Sequence, residues 1–305
     1  IHKKFGGVVP ELASRSHLQI LQQATNELFE NCKIRPEEID IFTATCGPGL
    51  IGSLLVGSTF TKSLSLGYKK PFIPMNHLLG HVLSTSYNNK ILYPNIVLLI
   101  TGGHTQVYLL EDNLSIKLLG GTLDDALGEA FDKVAKLLGL GYPGGKEIEE
   151  KARHGNENFF VLPKPLIEDK NFNFSFSGIK THVSLIKRKN KFNEKFVRDM
   201  SASFQKNISD LLIKKIENGL KLLKEKKIKI NSISVVGGVA NNNYIKKNFE
   251  NFTLNENIEL YYPIKEMTSD NAAMIAWGCH NIYTKSKEDI FFKPNPRMKI
   301  SEFML

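Results

Sequence analysis

The stretch NIVLLITGGHTQVYLLEDNLSIKLLGGTLDDALGEAFDKVAKLLGLGYPGG, from Asn95 to Gly145, most constrains how this chain folds. Ile96 to Ile100 is an unbroken apolar run. Gly102-Gly103 interrupts it, and β-formers resume from Gln106 to Leu110, which predicts two antiparallel strands around a glycine turn. The turn residues Thr101, Gly102, Gly103, His104 and Thr105 combine two positions lacking a Cβ with two hydroxyls and an imidazole. With its backbone N–H groups free to face a ligand, such a turn can cradle an anion, although many inert hairpins look the same. From Thr122 to Leu138 the apolar residues Leu123, Ala126, Leu127, Ala130, Val134 and Leu137 recur at helical spacing. Thr122 and Asp125 resemble a capping box, and Gly139 and Gly141 stop the helix. Asp132 falls on it beside Lys133 and Lys136, where an acid is ordinarily solvated.

Composition bounds the class. The 305 residues are 42% hydrophobic, enough to bury a core in one large domain or two lobes. No apolar run approaches the length of a membrane span, and no signal-peptide pattern opens the sequence. Forty basic against 31 acidic residues leave a net charge of +9, concentrated in Lys187 to Lys195 and Lys221 to Lys229. Such runs are usually solvated helix faces, yet the balance favours a polyanion such as RNA as partner. The cysteines, Cys32, Cys46 and Cys279, show no paired spacing and suggest a reducing compartment.

Along the chain, Pro10 opens a long amphipathic helix. Ile39 to Thr45 reads as a strand, followed by a small-residue helix. Gly47, Gly49 and Gly52 match G-x-G-x-x-G, but no acid lies between Asp40 and Glu111 to hold a ribose, so the glycines serve close packing rather than a dinucleotide. Pro71 to Met75 is a second short strand, which delivers NHLLGH. His77 and His81, four apart, share one helix face at metal-ligand spacing; histidine pairs of this kind also occur without a metal. Position 78 is Leu rather than the Glu of a zinc protease. Phe172, Phe174 and Phe176 alternate as in a strand, with core packing the commoner explanation than base stacking. Two Lys-rich helices are expected near 193 to 225. A buried strand, the turn Gly237-Gly238 and Asn241 to Asn243 at a helix start follow, an arrangement suited to a nucleotide but also to simple helix capping. Asp270 precedes a last small-residue helix as N-cap or as the carboxylate completing a two-histidine site.

Taken together, NHLLGH, TGGHTQ, GTLDDALGEAFDKVAKLLGLGYPGG, FSFSGIKT, VVGGVANN and SDNAAMIAWG resemble, in content and order, the tRNA N6-adenosine threonylcarbamoyltransferase family of bacterial and mitochondrial type. The resemblance spans essentially the whole chain. It implies an α/β fold of the actin, sugar kinase and Hsp70-like ATPases, two lobes around a cleft, here with residues 1–94 in the first lobe, 95–268 in the second and 269–305 returning to the first. It implies transfer of threonylcarbamoyl from threonylcarbamoyl-adenylate to N6 of adenosine 37 in tRNAs reading codons that begin with A. By position, His77, His81 and Asp270 match the metal ligands, for one iron or zinc ion. Ile100, Thr101, Gly102, Gly103, His104, Asp132, Gly145, Glu149 and Asn242 match the residues that bind the adenylate; no general base is singled out. The implied partners are tRNA and companion subunits, a paralogous noncatalytic subunit and a small ATPase, or a second copy in an organelle. The implied setting is the cytoplasm, alternatively a mitochondrion or other organelle.

Two departures stand out. Gly144-Gly145-Lys146 and Glu149 replace the family's Gly-Gly-Pro and Asp. The family's opening strands and first phosphate loop have no counterpart ahead of Ile1. The expectation is therefore a first lobe lacking its opening strands, with Ile39 to Thr45 and Pro71 to Met75 its clear strands and Asn95 to Lys265 the better-formed half. A metal-dependent glycoprotein endopeptidase and a noncatalytic nucleotide-binding subunit of the same superfold are the alternative readings.

Overall fold

In the computed structural model of the chain, residues 7–112, 114–284 and 288–302 are described. They form two compact units, Ile1–Tyr87 with Asp270–Leu305, and Asn88–Ser269. Residues 88–94 group with the second unit because Leu92 O and Tyr93 O accept from Ser232 Oγ and Asn231 Nδ2, at 2.6 and 2.5 Å.

In the first unit, helix α1 (Pro10–Cys32) starts at its proline. Strand β1 (Phe42–Gly47), helix α2 (Ile51–Tyr68) and strand β2 (Phe72–Asn76) make a parallel crossover, with Phe42 opposite Phe72. β1 begins three residues later than the sequence suggests, because Pro36–Glu38 forms a 3₁₀ turn and pairing starts only where Phe42 N meets Pro71 O. A Cβ on Gly47 would lie 2.0 Å from Asn295 O, and one on Gly52 2.4 Å from Ser14 Oγ. These glycines serve packing, as expected. Every residue of β2 is buried, and the strand runs directly into α3 (His77–Leu83). The last helix, α10 (Ala272–Ile282), lies against α3 at Gly80 and Gly278, where added Cβ atoms would meet Ile275 Cδ1 and Met75 Cε at 2.8 Å. The tail then crosses the sheet: Asp289 N donates to Phe72 O, and Asn295 N to Cys46 O.

The second unit is built on a five-stranded sheet in the order β5-β4-β3-β6-β7. Its strands are β3 (Asn95–Ile100), β4 (Thr105–Leu110), β5 (Ile116–Gly121), β6 (Ser232–Val236) and β7 (Glu259–Tyr261). β3 pairs antiparallel with β4, as predicted, and parallel with β6. Its unbroken apolar run is that of a central strand covered on both faces, and Ile96 to Ile100 are all fully buried.

Three expectations fail here. The helix after the hairpin, α4 (Leu127–Leu137), begins five residues later than Thr122, because Thr122 to Ala126 close a turn: Thr122 Oγ1 donates to Asp125 O, and Thr122 N to Thr105 O. Leu123, assigned to the apolar stripe, is 68% exposed. Phe172, Phe174 and Phe176 form no strand beyond one bridge from Phe174 to Thr122; all three rings are buried, each contributing about 2 kcal/mol to the core. The two Lys-rich helices are one, α7 (Glu194–Glu225), of 32 residues. It tolerates Gly219 in its interior because the Phe172 ring occupies the place of a side chain, 2.1 Å from a built Cβ. Around the sheet also lie α5 (Gly144–Ala152), α6 (Ser177–Lys189), α8 (Asn243–Glu256) and the short α9 (Lys265–Thr268).

Candidate metal centre and ligand-binding loops

α3 is fixed at its start by Asn76, whose Oδ1 accepts from Leu78 N and Leu79 N at 2.9 and 3.1 Å. One-turn spacing then stacks His77 and His81 edge to face, with ring centroids 4.9 Å apart. Asp270 stands just before α10, whose N-cap is Asn271, accepting from Met274 N; the cap role foreseen for Asp270 belongs to its neighbour. This leaves the Asp270 carboxylate for the histidines. Its Oδ1 lies 3.0 Å from His81 Nε2 and 3.5 Å from His77 Nε2.

Burial lowers the His81 pKa, outweighing the hydrogen bond to Asp270 that raises it. Hydrogen bonds from His77 and His81 hold the Asp270 carboxyl well below the usual carboxylate range. The two directions have different causes and one consequence: a neutral imidazole faces an ionised carboxylate, the forms a metal ligates. One ligand atom from each residue lies within 4.8 Å of the others, and no other such group occurs among the described residues. His81 is fully buried, whereas the Asp270 side chain is 75% exposed, so the cluster is walled on one side and open on the other. Two imidazoles, one carboxylate and an open face fit a divalent metal with a position left for substrate.

The adenylate-binding candidates all lie in the second unit. Ile100 ends β3 fully buried, so only its backbone faces the turn. The amides of Gly103 and His104 are not free, contrary to expectation: both donate to Thr101 Oγ1, at 3.3 and 3.0 Å. Thr101 N donates to His104 O at 2.8 Å, closing the loop on itself. What stays open is the outer side, where Cβ atoms on Gly102 or Gly103 would meet nothing within 4 Å. The inner side carries the start of α4. Thr105 Oγ1 accepts from Leu127 N at 2.9 Å, and a Cβ on Gly128 would lie 2.7 Å from Gly102 Cα. Gly128 is thus required by the turn, a role that nothing in the sequence pattern marks.

The second glycine turn meets the first at the same end of the sheet, beyond the adjacent parallel strands β3 and β6. Gly237 has φ +96°, and its Cβ would lie 2.5 Å from Ile100 O. Asn242 caps α8, accepting from Ile245 N at 3.0 Å, and donates to Gln205 Oε1 at 2.8 Å. Buried Gln205, reached from α7, is the partner sequence reasoning missed, for a polar residue on a long helix carries no mark of its contacts. Glu149 on α5 accepts from the N and Nδ2 of Asn243, at 3.1 and 2.7 Å. Asp132 accepts from Gly144 N at 2.7 Å; burial pushes its carboxyl pKa up, further than that bond pulls it down. Gly145 follows on the first turn of α5, with open space where a Cβ would stand. Asp132, Gly144, Glu149 and Asn243 therefore link α4, α5 and α8.

The family model for tRNA N6-adenosine threonylcarbamoyltransferase matches residues 1–277. Curated proteins of that name match over nearly the whole chain: that of Thermosipho africanus is 44% identical over 98% of this chain and 90% of its own. That of Thermosipho melanesiensis is 47% identical over 93% and 85%, and that of Rickettsia canadensis 42% over 99% and 89%. Among solved structures, HypF of T. kodakarensis superposes with a TM-score of 0.61 at 13% identity, over 88% of this chain and 43% of that one. Full-length HypF in its phosphate- and nucleotide-bound form gives 0.58 at 15%, over 86% and 49%. These likenesses show the fold, in keeping with the ATPase-like α/β class. No described helix is long and apolar enough to cross a membrane. With its motifs in order, its histidine pair joined by Asp270 and relatives above 40% identity along its length, this chain belongs to the tRNA N6-adenosine threonylcarbamoyltransferase family.

Proposed function

We propose that this chain transfers the threonylcarbamoyl group of threonylcarbamoyl-adenylate to N6 of adenosine 37 in tRNAs reading codons that begin with A. The observation that carries the reading is the meeting of His77 and His81 with Asp270, which stands 189 residues beyond His81. The N6 nitrogen attacks the carbonyl carbon of the mixed anhydride, forming the C–N bond as the C–O bond to AMP breaks and the amine loses a proton. AMP is a good leaving group, so no covalent enzyme intermediate is required, and positioning supplies most of the rate.

In this reading, His77 Nε2, His81 Nε2 and Asp270 Oδ1 hold one iron or zinc ion, which when bound supplies a Lewis acid for the threonylcarbamoyl group. Gly102 and Gly103, bare of Cβ atoms and open on the outer side of the turn, let the adenylate approach the ends of β3 and β4 closely. Asp132 and Glu149, tied to Gly144 and Asn243, set the first turns of α5 and α8, so that Gly145 and Asn242 present a fixed edge to the adenosine. Leu78, at the position where a zinc protease carries its glutamate base, speaks against the endopeptidase reading. A noncatalytic subunit has no need of the three ligands.

The test incubates metal-loaded protein with tRNA, threonylcarbamoyl-adenylate and, in parallel, added companion subunits, and reads the digested nucleosides by mass spectrometry. Threonylcarbamoyladenosine in the tRNA is the expected product. Its absence under every subunit combination, with adenylate bound and metal present, would refute the reading.

A further inference from the structure

We propose that the corner of the second unit where α6 ends and α7 begins is the surface on which this chain holds RNA phosphates, a proposal that rests on tRNA being its substrate. Residues 170–193 contain six Lys or Arg and no acid. At the end of α6, Arg188 and Lys189 are exposed, and Lys191 follows them into the turn before α7. Lys187 donates to Leu137 O at 2.6 Å, which brings the end of α4, with exposed Lys136, to the same corner. None of Lys136, Arg188, Lys189 and Lys191 forms a salt bridge among the described residues, unlike Lys195, which is held by Asp199 at 2.6 Å. The neighbouring acid Glu194 is taken by Lys151 at 2.7 Å. Four cations without an ion pair among the described residues thus stand at one corner, where Glu194 is already paired.

A run of lysines is ordinarily a solvated face, and a second feature separates this one. Phe192 and Phe159 are 48% and 52% exposed, with Lys187 Nζ 4.2 Å from the Phe192 ring centre and Lys195 Nζ 4.3 Å from that of Phe159. Their rings run into Phe160 and Phe196 beneath, so they are anchored rather than loose. Cations among half-exposed rings suit a strand that offers both phosphates and unpaired bases, which fits RNA better than an acidic protein surface. The other lysine run, 221–229, carries no such rings; Lys221 is paired with Glu217, and Glu225 lies within the run. It serves as the control of similar charge.

The experiment measures binding of unmodified tRNA to the full chain as a function of salt. Two fourfold variants are compared with wild type: Lys136→Gln with Arg188→Gln, Lys189→Gln and Lys191→Gln, and Lys224→Gln with Lys226→Gln, Lys227→Gln and Lys229→Gln. Glutamine keeps the helices, and thermal melting checks that both variants fold. If all four corner cations touch phosphates, the slope of log affinity against log salt falls by roughly 3 in the first variant, with at least a tenfold weaker Kd, and is unchanged in the second. Equal losses in both variants would reduce the effect to overall charge and overturn the proposal. Retained affinity and slope in the corner variant would also overturn it, while leaving transfer by the wild type, and hence the proposed function, intact. A wild type that neither binds nor modifies tRNA would sink both.

Discussion

The two sets of candidate residues differ in how they use their polar atoms. In the first unit, His77, His81 and Asp270 turn nitrogen and oxygen toward one another across an open face, and an exposed carboxylate sits on a buried imidazole. In the second, Thr101, Asp132, Glu149 and Asn242 are bonded to their own scaffold: to loop amides, to Gly144 N, to Asn243 and to Gln205 with Ile245. A cluster of the first kind has the donor set of a metal centre, two imidazoles and a carboxylate within reach of one another. The second kind builds a bonded frame whose glycines Gly102, Gly103 and Gly145 leave open space where a Cβ would stand. Substitutions should therefore separate the two: first-unit changes should remove metal and chemistry, whereas changes to the bonded frame of the second unit should cost stability or adenylate binding and leave metal content unchanged.

The largest effect is expected at His81. His81→Ala should lower transfer by on the order of a thousandfold, the loss of several kcal/mol of charge stabilisation, while thermal melting shifts by only a few degrees. A variant within tenfold of wild type in the nucleoside assay would break the contrast from its first-unit side.

Next comes Gly237→Ala. The positive φ and the approach to Ile100 O both penalise a Cβ, so stability should fall by about 2 to 4 kcal/mol, or roughly 5 to 15 °C in melting temperature. Metal content should be unchanged. Gly102→Ala, with open space at its Cβ, is the paired control and should melt close to wild type.

Asn242→Ala removes a helix cap and leaves buried Gln205 short of a partner, so it should cost about 1 to 2 kcal/mol and weaken adenylate binding in calorimetry, with metal content unchanged. Joint loss of metal and adenylate would show that the two units are not separable in this way.

The smallest effect concerns pH. Burial raises the Asp124 pKa, but the bonds from Ser175, Phe176 and Ser177 more than reverse this, bringing it down to about 2. A depressed carboxyl stabilises the fold above its unfolded value and loses that contribution as pH falls through the folded one. Asp124→Asn should thus melt below wild type at pH 6, with the gap shrinking from about pH 4 downward toward pH 2. A gap independent of pH would assign the turn's stability elsewhere.

Much of this was legible in the sequence where a local pattern and a tertiary need coincide. The β3 and β4 hairpin, the proline start of α1 and the one-turn spacing of His77 and His81 each depend on neighbours along the chain. The start of α4 was not legible, because Thr105 rather than Thr122 satisfies Leu127 N, and that partner lies 22 residues upstream. Nor were the buried phenylalanines at 172 to 176 distinguishable from a strand, since alternation also arises when a loop lays every second ring into a core. The meeting of Asp270 with the two histidines was within reach only because Leu78 left them without a local acid. The amide cradle at Gly103 and His104 failed for a reason a pattern cannot carry: a single threonine hydroxyl, already in the turn, satisfies both donors.

The most direct test of the first unit's role is the metal-to-protein ratio of wild type and Asp270→Ala, each reconstituted with iron or with zinc, desalted and measured by plasma mass spectrometry. A ratio near one for wild type, falling several-fold in the variant while adenylate affinity holds, is the predicted result. Equal metal in both proteins would contradict it, for Asp270 would then be a surface acid beside two histidines and not part of a metal centre.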